Sequence, residues 1–132
     1  MAARFYSGGA QGQLTLSTSF QDLVTGQTYG SDVRRLVLSN TGSTDRVVVF
    51  ADENDNVIDI ILVPANAGQS GSAGATTPAI DYLNGSIPLG GAEFDAYGNR
   101  YYKLWSGGKL RVKQAVGTDI SVQWSRSDYS AS

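Results

Sequence analysis

Short segments in which apolar and polar residues alternate run along most of the chain. Alternation with a period of two places the apolar side chains on one face of a β-strand and the polar side chains on the other. Seven segments fit this pattern: Gln13–Thr18, Val33–Ser39, Arg46–Ala51, Val57–Val63, Arg100–Trp105, Lys109–Ala115 and Asp119–Trp124. Their number, length and spacing predict an all-β fold, an antiparallel β-sandwich of jelly-roll-like type.

Segments rich in Gly, Asn and Asp separate these strands, as tight turns require. Because the gaps are short, we expect neighbouring strands to pair as antiparallel hairpins. The turn segments are Asn40–Ser43, Asp52–Asn56, Tyr97–Asn99, Ser106–Gly108 and Val116–Asp119.

The same alternation predicts which side chains form the core. One apolar face is expected from each of five strands, and these faces should be largely buried. The predicted core residues are Leu36, Leu38, Val47, Val49, Ile58, Ile60, Leu110, Val112, Ile120 and Val122.

The strand pattern breaks in the middle of the chain. Residues Ala65–Thr77 are small and polar and are too numerous for a simple turn. Thr77 can act as a helix N-cap with Pro78 at the first helical position, so one short helix is predicted there, ending at Asn84-Gly85. A long crossover of this kind is what a jelly roll requires.

The chain divides into three parts by pattern. Residues 1–12 are predicted to be an N-terminal arm, residues 13–125 the β-sandwich domain, and residues 126–132 a C-terminal tail. Arg4, Phe5 and Tyr6 lie in the arm, ahead of the first alternating strand. Aromatic and Arg side chains supply much of the energy of protein interfaces, so we expect this arm to dock on a neighbouring molecule.

Composition argues against catalysis. The 132 residues include no His and no Cys, which removes the commonest general base, the commonest metal ligand and the thiolate nucleophile. The twelve Asp and Glu residues fall mostly in predicted turns and set up no carboxylate pair of the kind that glycosidases use. We therefore expect no enzyme activity, no catalytic residues, no cofactor and no metal site.

Charge and targeting signals narrow the possible partners. The net charge of −2 gives no general attraction to nucleic acid or to an anionic membrane. No apolar run approaches the roughly 18 residues of a membrane-spanning helix, and the N-terminus does not resemble a signal peptide. We expect synthesis in the cytoplasm without a leader.

The alternating polar residues of one acidic turn suggest a calcium-binding loop, but the rest of the segment does not fit such a loop. Asp52, Asn54 and Asn56 occupy alternate positions, as in a calcium-binding loop. Val57 and Val63 stand where such a loop needs Gly and Glu, so a polar hairpin tip explains the segment better.

Basic and aromatic residues concentrate near the C-terminus. Arg100–Lys113 holds five of the ten basic residues, whereas Asp45–Asp59 holds five acids. Such segregated charges can pair within one molecule or between copies. Two alternatives use the same region: nucleic-acid stacking, which the acidic net charge disfavours, and a sugar-binding surface. The aromatic residues of that surface would be Tyr97, Tyr101, Tyr102 and Trp105.

The C-terminal third, FDAYGNRYYKLWSGGKLRVKQAVGTDISVQW, resembles small β-sandwich virion structural proteins of tailed bacteriophages, above all those that decorate or cement a capsid. The resemblance implies a non-enzymatic protein of the virion that binds a major capsid protein, or neck and tail proteins. It also implies assembly as a homo-oligomer, often a trimer.

We therefore predict a capsid decoration or cement protein, and keep a carbohydrate- or receptor-binding module, for instance on a phage tail, as the alternative. The predicted interface combines the arm with the basic and aromatic residues of the last third. Its residues are Arg4, Phe5, Tyr6, Tyr101, Lys103, Trp105, Lys109, Arg111 and Lys113.

Overall fold

The alternating segments fold as strands of two antiparallel sheets. The computed structural model describes residues 6–69, 77–85 and 89–131, and within these residues every regular element is a β-strand. The strands are β1 (Tyr6–Thr15), β2 (Gln21–Thr25), β3 (Ser31–Asn40), β4 (Arg46–Ala51), β5 (Val57–Val63), β6 (Ile80–Asp81), β7 (Glu93–Phe94), β8 (Arg100–Leu104), β9 (Lys109–Gln114) and β10 (Ile120–Tyr129).

The first sheet has the strand order β1-β10-β3-β8-β7, with β6 also paired to β3, and the second has the order β2-β9-β4-β5. The hairpin predicted across Asp52–Asn56 is confirmed, since β4 pairs with β5. The hairpins predicted across Asn40–Ser43, Ser106–Gly108 and Val116–Asp119 are wrong. In each of these loops the chain passes from one sheet to the other.

The two sheets enclose one hydrophobic core, in a sandwich-like arrangement. Six of the predicted core residues are fully buried, namely Leu36, Leu38, Leu110, Val112, Ile120 and Val122. The orientation predicted for β4 and β5 is wrong for Val47 and Ile60, whereas Val49, which is 8 % exposed, is buried as predicted and Ile58 is partly buried against the core. Val48, Phe50, Ile61 and Val63 point into the core, whereas Val47 and Ile60 are 38 % and 61 % exposed.

The helix predicted after Thr77 is wrong. Ile80–Asp81 forms β6, which pairs with Val37 and Leu38 of β3. The chain then turns, because the Asp81 carboxylate accepts hydrogen bonds from the backbone N–H groups of Leu83 and Asn84. Part of the predicted loop, residues 70–76, lies outside the described residues.

The first and last strands along the chain, β1 and β10, are longer than their alternation predicted. The first strand begins at Tyr6, so the boundary between arm and sandwich falls inside β1, and the boundary of the tail falls inside β10. These two strands pair with each other, with Tyr6 opposite Tyr129. The ends of the described chain therefore lie side by side at one edge of the first sheet.

Candidate functional site

The outer face of the second sheet carries a row of cations. Because β9 alternates, Leu110 and Val112 point into the core, and Lys109, Arg111 and Lys113 point outward. We call these three outward residues the basic row. They follow one another along a central strand of the sheet, as the sequence predicted.

Most of this charge is already paired within the molecule. Asp22 of β2 lies 2.8 Å from the Lys109 ammonium and 3.0 Å from the Arg111 guanidinium. The hydrogen bond from Lys109 is the main cause of a lowered pKa at Asp22. Arg111 also binds Asp55 of the β4–β5 turn. Lys113 lies over the Phe20 ring, at 4.7 Å, and has no carboxylate partner among the described residues.

Next to the basic row the same face is apolar. The pairing of β4 with β5 sets Val47 opposite Leu62 and Val49 opposite Ile60 on the outer face, and Val49 also faces Lys113. We call the exposed residues Val47, Val57, Ile60 and Leu62 the apolar patch; Val49 lies among them but is only 8 % exposed. Ile60, Val57 and Leu62 are 61 %, 56 % and 55 % exposed.

The apolar surface continues around the edge of the sheet. Strand β5 is the last strand of the second sheet, and its ladder partner among the described residues is β4 alone. Between β5 and the segment leading into β6 lies a groove of about 550 Å³. Its walls include Ile60, Leu62, Pro64, Pro78 and Ile80. Neighbouring exposed apolar side chains beside such a groove are typical of a contact with another molecule.

Three other predicted interface residues lie on the first sheet. The Tyr6 hydroxyl donates a hydrogen bond of 2.7 Å to the Asp32 carboxylate, and the Tyr101 hydroxyl donates one of 2.9 Å to Glu93. Lys103 lies directly opposite Asp32 in the β3–β8 ladder. These residues belong to a different sheet from the basic row.

Asp32 is the centre of this second cluster. It is 1 % exposed and also accepts a 2.5 Å hydrogen bond from the Tyr129 hydroxyl. Burial, followed by the hydrogen bond to Asp32, raises the pKa of both Tyr6 and Tyr129. The two hydroxyls therefore stay protonated and keep donating to the carboxylate well into alkaline pH.

Trp105 lies in the turn between β8 and β9 and adjoins both groups, since Lys103 and Lys109 line a cleft together with it. Its indole is 68 % exposed, and the Lys103 ammonium sits 4.3 Å from the ring centroid. The predicted interface residues are therefore spread over both sheets and the turn that joins β8 to β9. Arg4 and Phe5 lie outside the described residues, so their part of the prediction stays a prediction.

The four aromatic residues of the sugar-binding alternative do not form one platform. Tyr97 is 90 % exposed in the β7–β8 turn. Tyr101 points to the outer face of the first sheet, and Tyr102, the next residue, packs against the core. Only Tyr102 and Trp105 line a common cleft.

The acidic turn at Asp52 is a hairpin tip. The Asp52 carboxylate accepts hydrogen bonds from the backbone N–H groups of Asn54 and Asn56 and from the Asn56 side chain. These bonds account for the alternating Asx pattern. Within the described ranges no group of three Asp or Glu residues is arranged to hold a metal ion.

Sequence reasoning missed the apolar patch. The only available signal was the segment VIDIILV, in which both faces of the strand are apolar at most positions. The prediction places Ile58 and Ile60 of this segment in the core, but a strand at the edge of a sheet can also carry apolar residues on its outer face.

Comparison with protein-family models, with curated proteins and with solved structures returns no match to this chain. The part of the chain that the structure describes forms no apolar helix of membrane-spanning length.

Proposed function

We propose that this chain is a non-enzymatic structural protein of a phage particle, a capsid decoration or cement protein that binds neighbouring capsid subunits. The observation that carries the proposal is the apolar patch on the outer face of the second sheet. Three of its side chains are more than half exposed, and the edge of β5 beside them lacks a neighbouring strand among the described residues.

Burial of this patch against a partner is favourable. Covering the exposed parts of Ile60 and Leu62 contributes about 1 kcal/mol each, and the groove along β5 adds further apolar area. A small particle protein that makes several such contacts in a symmetric lattice needs no single strong one.

The partner that fits is a capsid protein surface with apolar side chains flanked by carboxylates. Lys113 borders the patch opposite Val49, and its ammonium has no carboxylate partner in the described part of the chain. A carboxylate on the partner would add attraction and would select the orientation of docking.

The remaining parts of the proposal come from the resemblance of the C-terminal third. They are location in the virion after synthesis in the host cytoplasm, assembly as a homo-oligomer such as a trimer, and the jelly-roll-like form of the sandwich. The repeated passage of the chain from one sheet to the other supports the last of these.

The test uses particles from which the protein has been stripped. Purified wild-type protein is expected to rebind them to saturation. The double variant Ile60→Ser, Leu62→Ser is expected to bind at least about tenfold more weakly, since each change removes apolar contact area and leaves the core untouched.

Tyr97→Ser is the matched control, because it removes a 90 % exposed side chain far from the patch, and it should rebind like the wild type. Equal binding by the double variant would show that docking uses another surface. Failure of the wild type to rebind at all would overturn the decoration function itself.

A further inference from the structure

A cleft opens between the β4–β5 turn and the β8–β9 turn, and none of the residues that line it belongs to the apolar patch. Its volume is about 530 Å³, within the roughly 300–1,000 Å³ of small-molecule sites. The side chains that matter for its chemistry are Asp52, Glu53, Tyr102, Lys103, Trp105 and Lys109.

Trp105 offers a flat apolar surface in this cleft. The side chain is 68 % exposed, and the Lys103 ammonium over the ring holds it by a cation–π contact instead of by burial. The backbone beneath is fixed, because Gly108 donates to the Trp105 carbonyl at 2.9 Å and accepts from Gly26 at 2.8 Å. An exposed indole carried by a hydrogen-bonded turn is a suitable stacking partner for a flat ligand.

Tyr102 brings a hydroxyl to the same cleft. Its ring packs against the core, and its hydroxyl has no hydrogen-bond partner among the described residues. Burial, and after it the charges of Asp52 and Glu53, raises the pKa of this hydroxyl. It is therefore a neutral group, able both to donate and to accept a hydrogen bond.

Glu53 supplies an acceptor. One of its carboxylate oxygens, Oε1, accepts the backbone N–H of Lys109 at 3.2 Å, which fixes the side chain at the cleft wall. The second oxygen has no partner in the described part of the chain and can accept from a ligand hydroxyl.

The charges of the cleft balance. Two carboxylates, Asp52 and Glu53, and two ammonium groups, Lys103 and Lys109, line it. The Lys109 ammonium is also bound to Asp22. A single-stranded nucleic acid, with its many phosphates, would need a net positive surface, which this cleft lacks.

We propose that this cleft binds an uncharged pyranose residue of a glycan, with the C–H face of the sugar on Trp105 and its hydroxyls on Tyr102 and Glu53. The site shares no residue with the apolar patch, so substitutions in one leave the side chains of the other in place.

The test is a two-dimensional NMR titration of the full chain with the methyl glycosides of glucose, galactose, mannose and N-acetylglucosamine. At least one is expected to shift the Trp105 indole N–H and the Gly107 and Gly108 amides in a saturable way. For so small a ligand the dissociation constant should be on the order of 1 mM.

Trp105→Ala is expected to abolish saturation, and Tyr102→Phe, which removes only the hydroxyl, to weaken binding by roughly threefold to tenfold. Tyr97→Ala is the matched control, since Tyr97 is an exposed aromatic residue of a neighbouring turn outside the cleft, and it should bind like the wild type.

Absence of saturable shifts with all four sugars, or equal binding by Trp105→Ala, would overturn the proposal. The double variant Ile60→Ser, Leu62→Ser should keep the sugar response. Loss of particle docking and loss of sugar binding are therefore distinguishable.

Discussion

At the scale of single residues, the environment of Asp32 is the least ordinary feature of the protein. The carboxylate is buried, and one of its oxygens accepts from two tyrosine hydroxyls. The other oxygen, Oδ1, has no hydrogen-bond partner among the described residues. A buried carboxylate is costly without donors, so Tyr6 and Tyr129 stabilise the fold mainly by satisfying it.

The pH dependence of stability follows from these tyrosines. The pKa of Tyr129 is raised in the folded protein above its unfolded value of about 10. Its contribution is therefore fully present below pH 10 and is lost as the pH rises toward the folded pKa, because the unfolded chain releases the proton first. We expect the urea midpoint to fall steadily between pH 10 and 11.

Tyr129→Phe should lower the free energy of unfolding at pH 8 by about 1–2 kcal/mol and flatten the decline above pH 10. Tyr97→Phe, which alters an exposed ring, is the control and should keep the wild-type profile. An unchanged slope in Tyr129→Phe would show that other groups cause the alkaline loss.

At the scale of elements, strand existence was more predictable than strand orientation. Arg46–Ala51 and Val57–Val63 were predicted with the bounds that the structure has. The side chains of these two strands that point into the core were predicted only in part. RVVVFA and VIDIILV are apolar at most positions, so alternation does not indicate which face of the strand is buried. Clean alternation in Lys109–Gln114 fixed both the strand and its inward residues.

A pair of adjacent substitutions in β5 tests this orientation. Ile61→Ala should lower the free energy of unfolding by about 2–4 kcal/mol, since Ile61 lies in the core. Ile60→Ala should change it by less than about 0.5 kcal/mol, because Ile60 faces outward. Urea denaturation of the two variants measures both changes. Equal losses of unfolding free energy would contradict the faces assigned to Ile60 and Ile61.

The positions of the candidate site residues also follow only in part from the sequence. The outward residues Lys109, Arg111 and Lys113 follow from alternation alone, but their separation from Tyr101 and Lys103 does not. A gap of Trp105–Gly108 suits a hairpin, and only the packing of the whole core decides that β8 and β9 enter different sheets.

At the scale of the whole molecule, most strand partners are far apart in sequence. The first strand pairs with the last, β2 pairs with β9, and β3 pairs with β10. Each of these pairs closes a long loop before it gains any contact, which slows folding.

We therefore expect refolding from urea to take milliseconds to seconds at 25 °C, as in other sandwiches with few local pairings. Stopped-flow fluorescence of Trp124, with Trp105 replaced by Phe, measures this rate. Refolding completed within roughly 0.1 ms would contradict so non-local a topology.

The pairing of β1 with β10 also sets the mechanical behaviour of the molecule. Tyr6 and Tyr129 are direct partners in the ladder. A force that pulls these two residues apart therefore breaks the hydrogen bonds of one residue pair after another, from Tyr6 toward Thr15. A force applied between Thr15 and Tyr129 instead loads all pairs together in shear, which a ladder resists far better. A molecule pulled by Tyr6 and Tyr129 would therefore peel open at this edge, at low force, before the rest of the sandwich yields.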